Sequence, residues 1–97
     1  MKVLIIRPEE IIYEGQADTV IVPGAAGFFQ ILEQHAPILS VLTAGSVQLH
    51  FHRKEHIEFN KRGGKLIPHP NDDKILTFEV HGGLVEMNQN LVTIFVD

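Results

Sequence analysis

"KILTFEVHGGLVEMNQNLVTIFVD", residues 74–97, decides the fold. Its first seven residues alternate. Ile75, Thr77 and Glu79 fall on one side of an extended strand and Leu76, Phe78 and Val80 on the other, as one wet and one buried face require. The closing run, "LVTIFV" at 91–96, is apolar on both faces except for Thr93, which places it centrally in a sheet. Each large side chain there contributes about 1.5–3 kcal/mol when fully buried. "HGGLVEMNQN" joins the two runs. Gly82-Gly83 marks a sharp turn or a close backbone approach, and Asn88 and Asn90 tolerate the left-handed conformation of a hairpin turn.

The rest of the chain repeats this pattern of short, β-branched apolar runs separated by turn residues, and helical periodicity is hard to find. Strands are predicted at 2–7, 11–13, 16–22, 28–32, 38–42, 46–52, 56–59, 74–80, 84–87 and 91–96. Breaks fall at Pro8, Gly15, Pro23-Gly24, Ala44-Gly45, Gly63-Gly64, Pro68 to Asp73, Gly82-Gly83 and Asn88 to Asn90. The expectation is a single all-β sandwich of about ten short, mostly antiparallel strands spanning 1–97.

Composition narrows the function. A chain of 97 residues makes one domain, and it buries only roughly 60–65% of the surface its unfolded form exposes. With no cysteine, disulfides, thiolate metal sites and thiol nucleophiles are excluded, and a reducing compartment fits. The start, "MKVLIIRPEE", has too short an apolar run for a signal peptide. Residues 34–52 carry no Asp, Glu, Lys or Arg, but their histidines, glutamines, serines, Pro37 and Gly45 make them too polar for a membrane span. The net charge of −4 argues against nucleic acid as a general partner. Arg53, Lys54, Lys61, Arg62 and Lys65 form a local basic patch interleaved with Glu55 and Glu58, which reads as a solvated hairpin.

Chemistry is sparse. The chain has neither the Walker pattern nor G-x-G-x-x-G before a helix, and "PGAAG" at 23–27 lacks a following lysine or helix. His35, Ser40 and several acids formally permit a serine triad, yet neither Ser40 nor Ser46 sits on a nucleophile elbow. His50 and His52 would share one face of a strand, where Glu55, His56 or Glu58 could close a metal site. That arrangement approaches a cupin-like metal enzyme, which is the alternative function, beside a generic β-sandwich adaptor. The cupin pattern fails because Glu55 comes too early, Glu58 too late, and no later strand supplies the second half of the motif. The plainer reading of His50 and His52 is a pair of polar residues on an edge hairpin.

Attention therefore turns to apolar groups on the outside. "VPGAAGFFQIL" at 22–32 joins two strands through small residues. If Phe29 and Ile31 face the core, Phe28 faces out. An apolar group exposed in this way marks a partner surface.

These residues carry a resemblance. The chain has Pro8-Glu9, Glu14-Gly15, "DTVIVPG" at 18–24, Gly27, "HAPILSVLTAG" at 35–45, "GGLVEM" at 82–87 and "VTIFVD" at 92–97, in that order. Over residues 3–51 and 75–97 it resembles the N-terminal β-sandwich domain of the epsilon subunit of F-type ATP synthases, called delta in mitochondria. The resemblance implies a noncatalytic rotor subunit of a proton-translocating synthase, with no cofactor. It implies that the domain binds the gamma subunit and rests on the ring of c subunits, coupling ring rotation to ATP synthesis. The matching ring-facing positions are Ala26, Gly27 and Phe28, and the gamma-facing ones His35, Pro37 and Ser40. Membrane association would be indirect, through the complex, and together with the start at Met1 the expected place is the cytoplasmic face of a bacterial inner membrane.

Four departures from the family pattern stand out. Many members read Gly-x-x-Pro-Gly-His where this chain has Gln30, Glu33, Gln34 and His35, so the turn before His35 lacks its proline and glycine. Phe28 replaces a commonly polar or acidic residue, which makes the implied ring contact more apolar. The basic connection at 52–74 is longer than usual, a hairpin or loop without a family counterpart. Near anionic lipid or an acidic partner face, each of its basic residues would add about 1 kcal/mol, although solvated decoration is the plainer role. Finally, members commonly continue into a C-terminal helical hairpin that restrains ATP hydrolysis, and this sequence stops at Asp97. The expectation is a short form or a fragment that does not use such a hairpin.

Overall fold

The computed structural model describes residues 1–53 and 66–97; the strand expected at 56–59 and most of the basic patch lie outside them. Among the described residues ten strands follow one another: β1 Lys2–Arg7, β2 Glu10–Gln16, β3 Thr19–Gly24, β4 Gly27–Leu32, β5 Ile38–Leu42, β6 Gly45–His50, β7 Ile67–His69, β8 Asp72–Val80, β9 Gly83–Asn88 and β10 Leu91–Val96. They form one curled sheet in the order β2-β1-β10-β9-β5-β3-β6-β8-β7, with β4 on β3. A single pair, Gly24 with Leu42, joins β3 to β5. The sheet folds over at that point into two layers of five strands, β2-β1-β10-β9-β5 and β4-β3-β6-β8-β7. All the neighbours are antiparallel except β1 and β10, which run parallel.

The core lies between the layers. Val3, Ile5, Val85, Met87, Val92 and Ile94 from one layer and Val20, Val22, Ile31, Val47, Leu49 and Leu76 from the other are completely buried. The alternation of "KILTFEV" holds: Leu76, Phe78 and Val80 are buried and Glu79 is exposed. β10 is central, flanked by β1 and β9. Its outer side is another matter, because Leu91 and Phe95 are exposed and the one polar residue, Thr93, is only 8% accessible. Being apolar on both sides set the strand's place in the sheet, but nothing in the described chain covers Leu91 and Phe95 on the outer side.

The turns refine the expectations. β8 and β9 are not paired; His81 and Gly82 carry the chain from one layer to the other. Gly83 has φ +149, and a Cβ there would stand 2.0 Å from the Phe95 carbonyl oxygen. The close approach expected of the glycine pair is thus made by its second member. In the β9–β10 hairpin, Gln89 (φ 51) and Asn90 (φ 62) take the left-handed positions of a type I′ turn, so Gln89 fills the role expected of Asn88. β7 falls where Pro68 to Asp73 read as a break. It tolerates Pro68 because, among the described residues, it is an edge strand paired with β8 alone.

Candidate functional site

The two outer surfaces differ in chemistry. On the layer containing β5, the register aligns Val41 with Leu84, Leu84 with Phe95, Phe95 with Ile6, and Ile6 with Ile11. Neighbouring strands lie about 4.8 Å apart, so this apolar row crosses roughly 20 Å of surface. Every member but Ile6, which is half-buried, is exposed, and Leu39 beside the row is 73% accessible. A bulge in β2 brings Ile11 into line: the register steps from Ile5–Tyr13 to Ile6–Ile11, so Ile12 is the extra residue and joins Tyr13 in the core. Two shallow hollows flank the row. Ile6, Arg7, Pro8, Phe95 and Val96 line one of about 340 Å³, and Pro37, Ile38, Leu39, Glu86, Met87 and Asn88 one of about 350 Å³. Contiguous exposed apolar surface of this kind marks a site of association.

The opposite outer surface is mixed. Its corresponding row reads Gln30, Ile21, Gln48, Thr77 and Ile67 across β4-β3-β6-β8-β7. Its polar groups bond among themselves: Thr77 Oγ1 donates to the Ile67 carbonyl at 3.1 Å, His50 Nε2 lies 2.9 Å from Gln48 Oε1, and Ser46 donates to Glu79. Such a surface is content in water.

At one end of the molecule the β3–β4 hairpin presents Ala25, Ala26, Gly27 and Phe28, all exposed, with Phe28 at 65%. The parity argument holds, since Ile31 is buried and Phe29 packs against the core. A Cβ on Gly24 would stand 2.7 Å from the Phe29 ring, so glycine is what lets that ring lie across the hairpin. The tip is tied to the next turn by Thr43, whose backbone N–H donates to the Pro23 carbonyl at 2.8 Å. Residues 19–32 contain no charged side chain, and the tip is apolar.

The other expected positions separate. His35 and Pro37 are exposed on the loop leading into β5, where His35 Nδ1 lies 2.8 Å from the Ala36 carbonyl oxygen. Ser40 pairs with buried Val85 and sits half-buried on the inner side with Ile38 and Leu42, away from Leu39 and Val41. The sequence reading therefore named the loop and missed the row. The signal was present in Leu39 and Val41 flanking Ser40 and in the doubly apolar "LVTIFV".

His50 and His52 do not converge. β6 ends at His50, and His52 turns to Asp18, its Nδ1 3.7 Å from Oδ1 while its backbone N–H donates to Oδ2 at 2.6 Å. Burial pushes the His50 imidazole below the ordinary histidine range, with His69 acting in the same direction and Asp72 opposing. Among the described residues no group of three or more histidines and acids is placed to hold a metal ion. No helix among them is long and apolar enough to cross a membrane.

The fold defines a two-layer β-sandwich domain with one apolar outer face and an apolar tip. The family model described as the ATP synthase Delta/Epsilon chain β-sandwich domain matches residues 1–77, and the chain belongs to that family. An ATP synthase epsilon chain of Leptospira interrogans is 37% identical over 97 residues, covering 100% of this chain and 61% of that one. The epsilon chain of Chlorobium limicola is 35% identical over 79 residues, 81% of this chain and 90% of that one. The chain thus spans about three-fifths of the Leptospira relative and most of the Chlorobium one. A chain in the solved central stalk and c-ring of the Tetrahymena thermophila mitochondrial ATP synthase has the same fold, with TM-score 0.66 and 19% identity over 99% of this chain and 62% of that chain. The relatives are subunits of a complex and not enzymes in their own right.

Proposed function

We propose that this chain is the β-sandwich domain of a noncatalytic central-stalk subunit of a proton-translocating ATP synthase, held on the cytoplasmic face of a bacterial inner membrane through the complex. The observation that carries the reading is the apolar row Val41–Leu84–Phe95–Ile6–Ile11 on a chain of the epsilon family. A domain that transmits torque needs stiffness and two durable contacts. The sandwich supplies the first, and the row and the hairpin tip supply surfaces for the second. In this reading the gamma subunit covers the row and the His35–Pro37 loop, and Ala26, Gly27 and Phe28 meet the ring of c subunits. Ser40, facing the inner side, acts on the gamma contact by supporting β5.

The test is calorimetry of the folded chain against its cognate gamma subunit, with Phe95→Asp and His35→Ala beside the wild type. A one-to-one complex weakened strongly by Phe95→Asp and less by His35→Ala supports the reading. Failure of the folded wild-type chain to bind gamma overturns it.

A further inference from the structure

The turn that lacks its proline and glycine is held in another way. Gln34 has φ 60, a left-handed conformation that crowds the Cβ of any residue but glycine, and the His35 N–H closes the turn on the Leu32 carbonyl at 3.1 Å. Residues 32–37 are all exposed, so burial does not hold the chain in that shape. Asn90 reaches it from the β9–β10 hairpin. Its Oδ1 accepts from the Gln34 N–H at 2.8 Å, and its Nδ2 donates to Glu33 Oε2 at 3.0 Å. The two partners fix the orientation of the amide, because an N–H needs its oxygen and a carboxylate needs its nitrogen. The Asn90 backbone is itself anchored: its carbonyl accepts from the Lys2 N–H at 3.2 Å where β10 begins to run beside β1, and its φ of 62 is the second left-handed position of the type I′ turn. Glycine would suit that backbone and offer no side chain. Aspartate would keep the acceptor and set a second carboxylate against Glu33. Asparagine tolerates the backbone and supplies both donor and acceptor.

We propose that Asn90 is a positioning residue: its side-chain amide latches the Glu33–Gln34 turn to the β9–β10 hairpin, so that the His35–Pro37 loop and the apolar row form one preorganised surface for a protein partner. The hairpin carries Leu84 and Phe95 of the row, and the loop leads into β5, which carries Val41. The pairing of β5 with β9 begins at Ile38 and Met87, so residues 33–37 lie beyond the last ladder pair. The latch extends the alignment past that point, joining Gln34 to a residue 56 positions away. Each of its two bonds faces water and is weak singly. Set together on one anchored side chain, they need little further ordering to form. A loop already in its bound shape also loses less freedom when a partner arrives, and affinity gains accordingly.

The test is amide hydrogen exchange in the isolated chain. Asn90→Gly removes the amide and keeps a residue that the type I′ turn favours, so faster exchange in that variant cannot be laid to a weakened hairpin. Gln89→Gly alters the same turn and leaves the amide in place. Asn90→Gly is expected to speed exchange at Gln34 roughly tenfold, and at His35 by less, while core amides such as Val92 and Ile94 keep their protection. Gln89→Gly should leave Gln34 as it is. Unchanged exchange at Gln34 in Asn90→Gly, or equal acceleration in Gln89→Gly, would overturn the latch. The consequence for a partner rests on the functional reading above and is measured separately, by calorimetry with the gamma subunit. There Asn90→Gly should weaken binding about fivefold, and His35→Ala should lose less affinity in the Asn90→Gly background than in the wild type. Strictly additive losses would overturn the positioning role. Failure of the wild-type chain to bind gamma would instead count against the functional reading, and exchange at Gln34 would still decide the latch.

Discussion

The two layers of this sandwich present the same backbone to the solvent and opposite chemistry. Ile21 and Ile67 stand in the outer row of one layer among Gln30, Gln48 and Thr77, whose polar groups belong in water. Val41, Leu84, Phe95, Ile6 and Ile11 stand in the corresponding row of the other with nothing polar among them. Single exposed apolar residues are ordinary on a soluble protein, and an unbroken row of them is not. The difference teaches that the layer carrying Phe95 has one face buried by the fold and a second, apolar face that the fold leaves exposed, the face that the proposed function gives to a partner.

Substitutions can break this contrast to different depths. The largest effect belongs to the glycine that seats the row. Gly83→Ala forces a Cβ into the Phe95 backbone, and should cost on the order of 3 kcal/mol or more in chemical unfolding. Its counterpart in the other layer, Gly24→Ala, meets chiefly the Phe29 ring, which can swing aside, and should cost only about 1–2 kcal/mol.

Next comes the row itself. Phe95→Asp should weaken gamma binding by about 100-fold, close to 2.7 kcal/mol, as expected for a buried aromatic anchor. Ile21→Asp, on the other layer, should leave the affinity within about twofold, a change below 0.5 kcal/mol. At the tip, Phe28→Asp should reduce co-purification with the c-ring while leaving thermal unfolding within a few degrees of wild type; a collapse of stability would make Phe28 part of the core.

The smallest effect is a pH dependence on the polar layer. Because burial holds the folded His50 imidazole below the ordinary value of about 6.5, its contribution to stability is complete above that value. It is lost as pH falls from there through the folded value. Melting between pH 7.5 and 5.5 should therefore decline more steeply for the wild type than for His50→Gln.

Much of this architecture was legible in the residues. The alternation in "KILTFEV", the double apolarity of "LVTIFV" and the glycine pair gave strand type, inner face and close approach, because each depends on neighbours a few residues away. Pro68 to Asp73 reads as a break, yet β7 runs through Pro68 and His69, where a place at the edge of the described sheet accommodates the missing backbone donor. The resemblance pointed to His35 and Pro37 but placed Ser40 beside them, although strand parity turns Ser40 inward. Parity says which side chains share a face and leaves open whether anything covers it, so the row could emerge only from five strands in register. The Glu33–Asn90 hydrogen bond joins positions 57 residues apart and has no local signature.

The most direct measurement is a methyl NMR titration of the isotopically labelled chain with its gamma subunit, because both outer surfaces carry reporting methyl groups. Shifts confined to Ile6, Ile11, Leu39, Val41 and Leu84 are the predicted result. Shifts at Ile21, Leu32, Ile67 and Ile75 with the first set unmoved would contradict the account and place the partner on the polar layer.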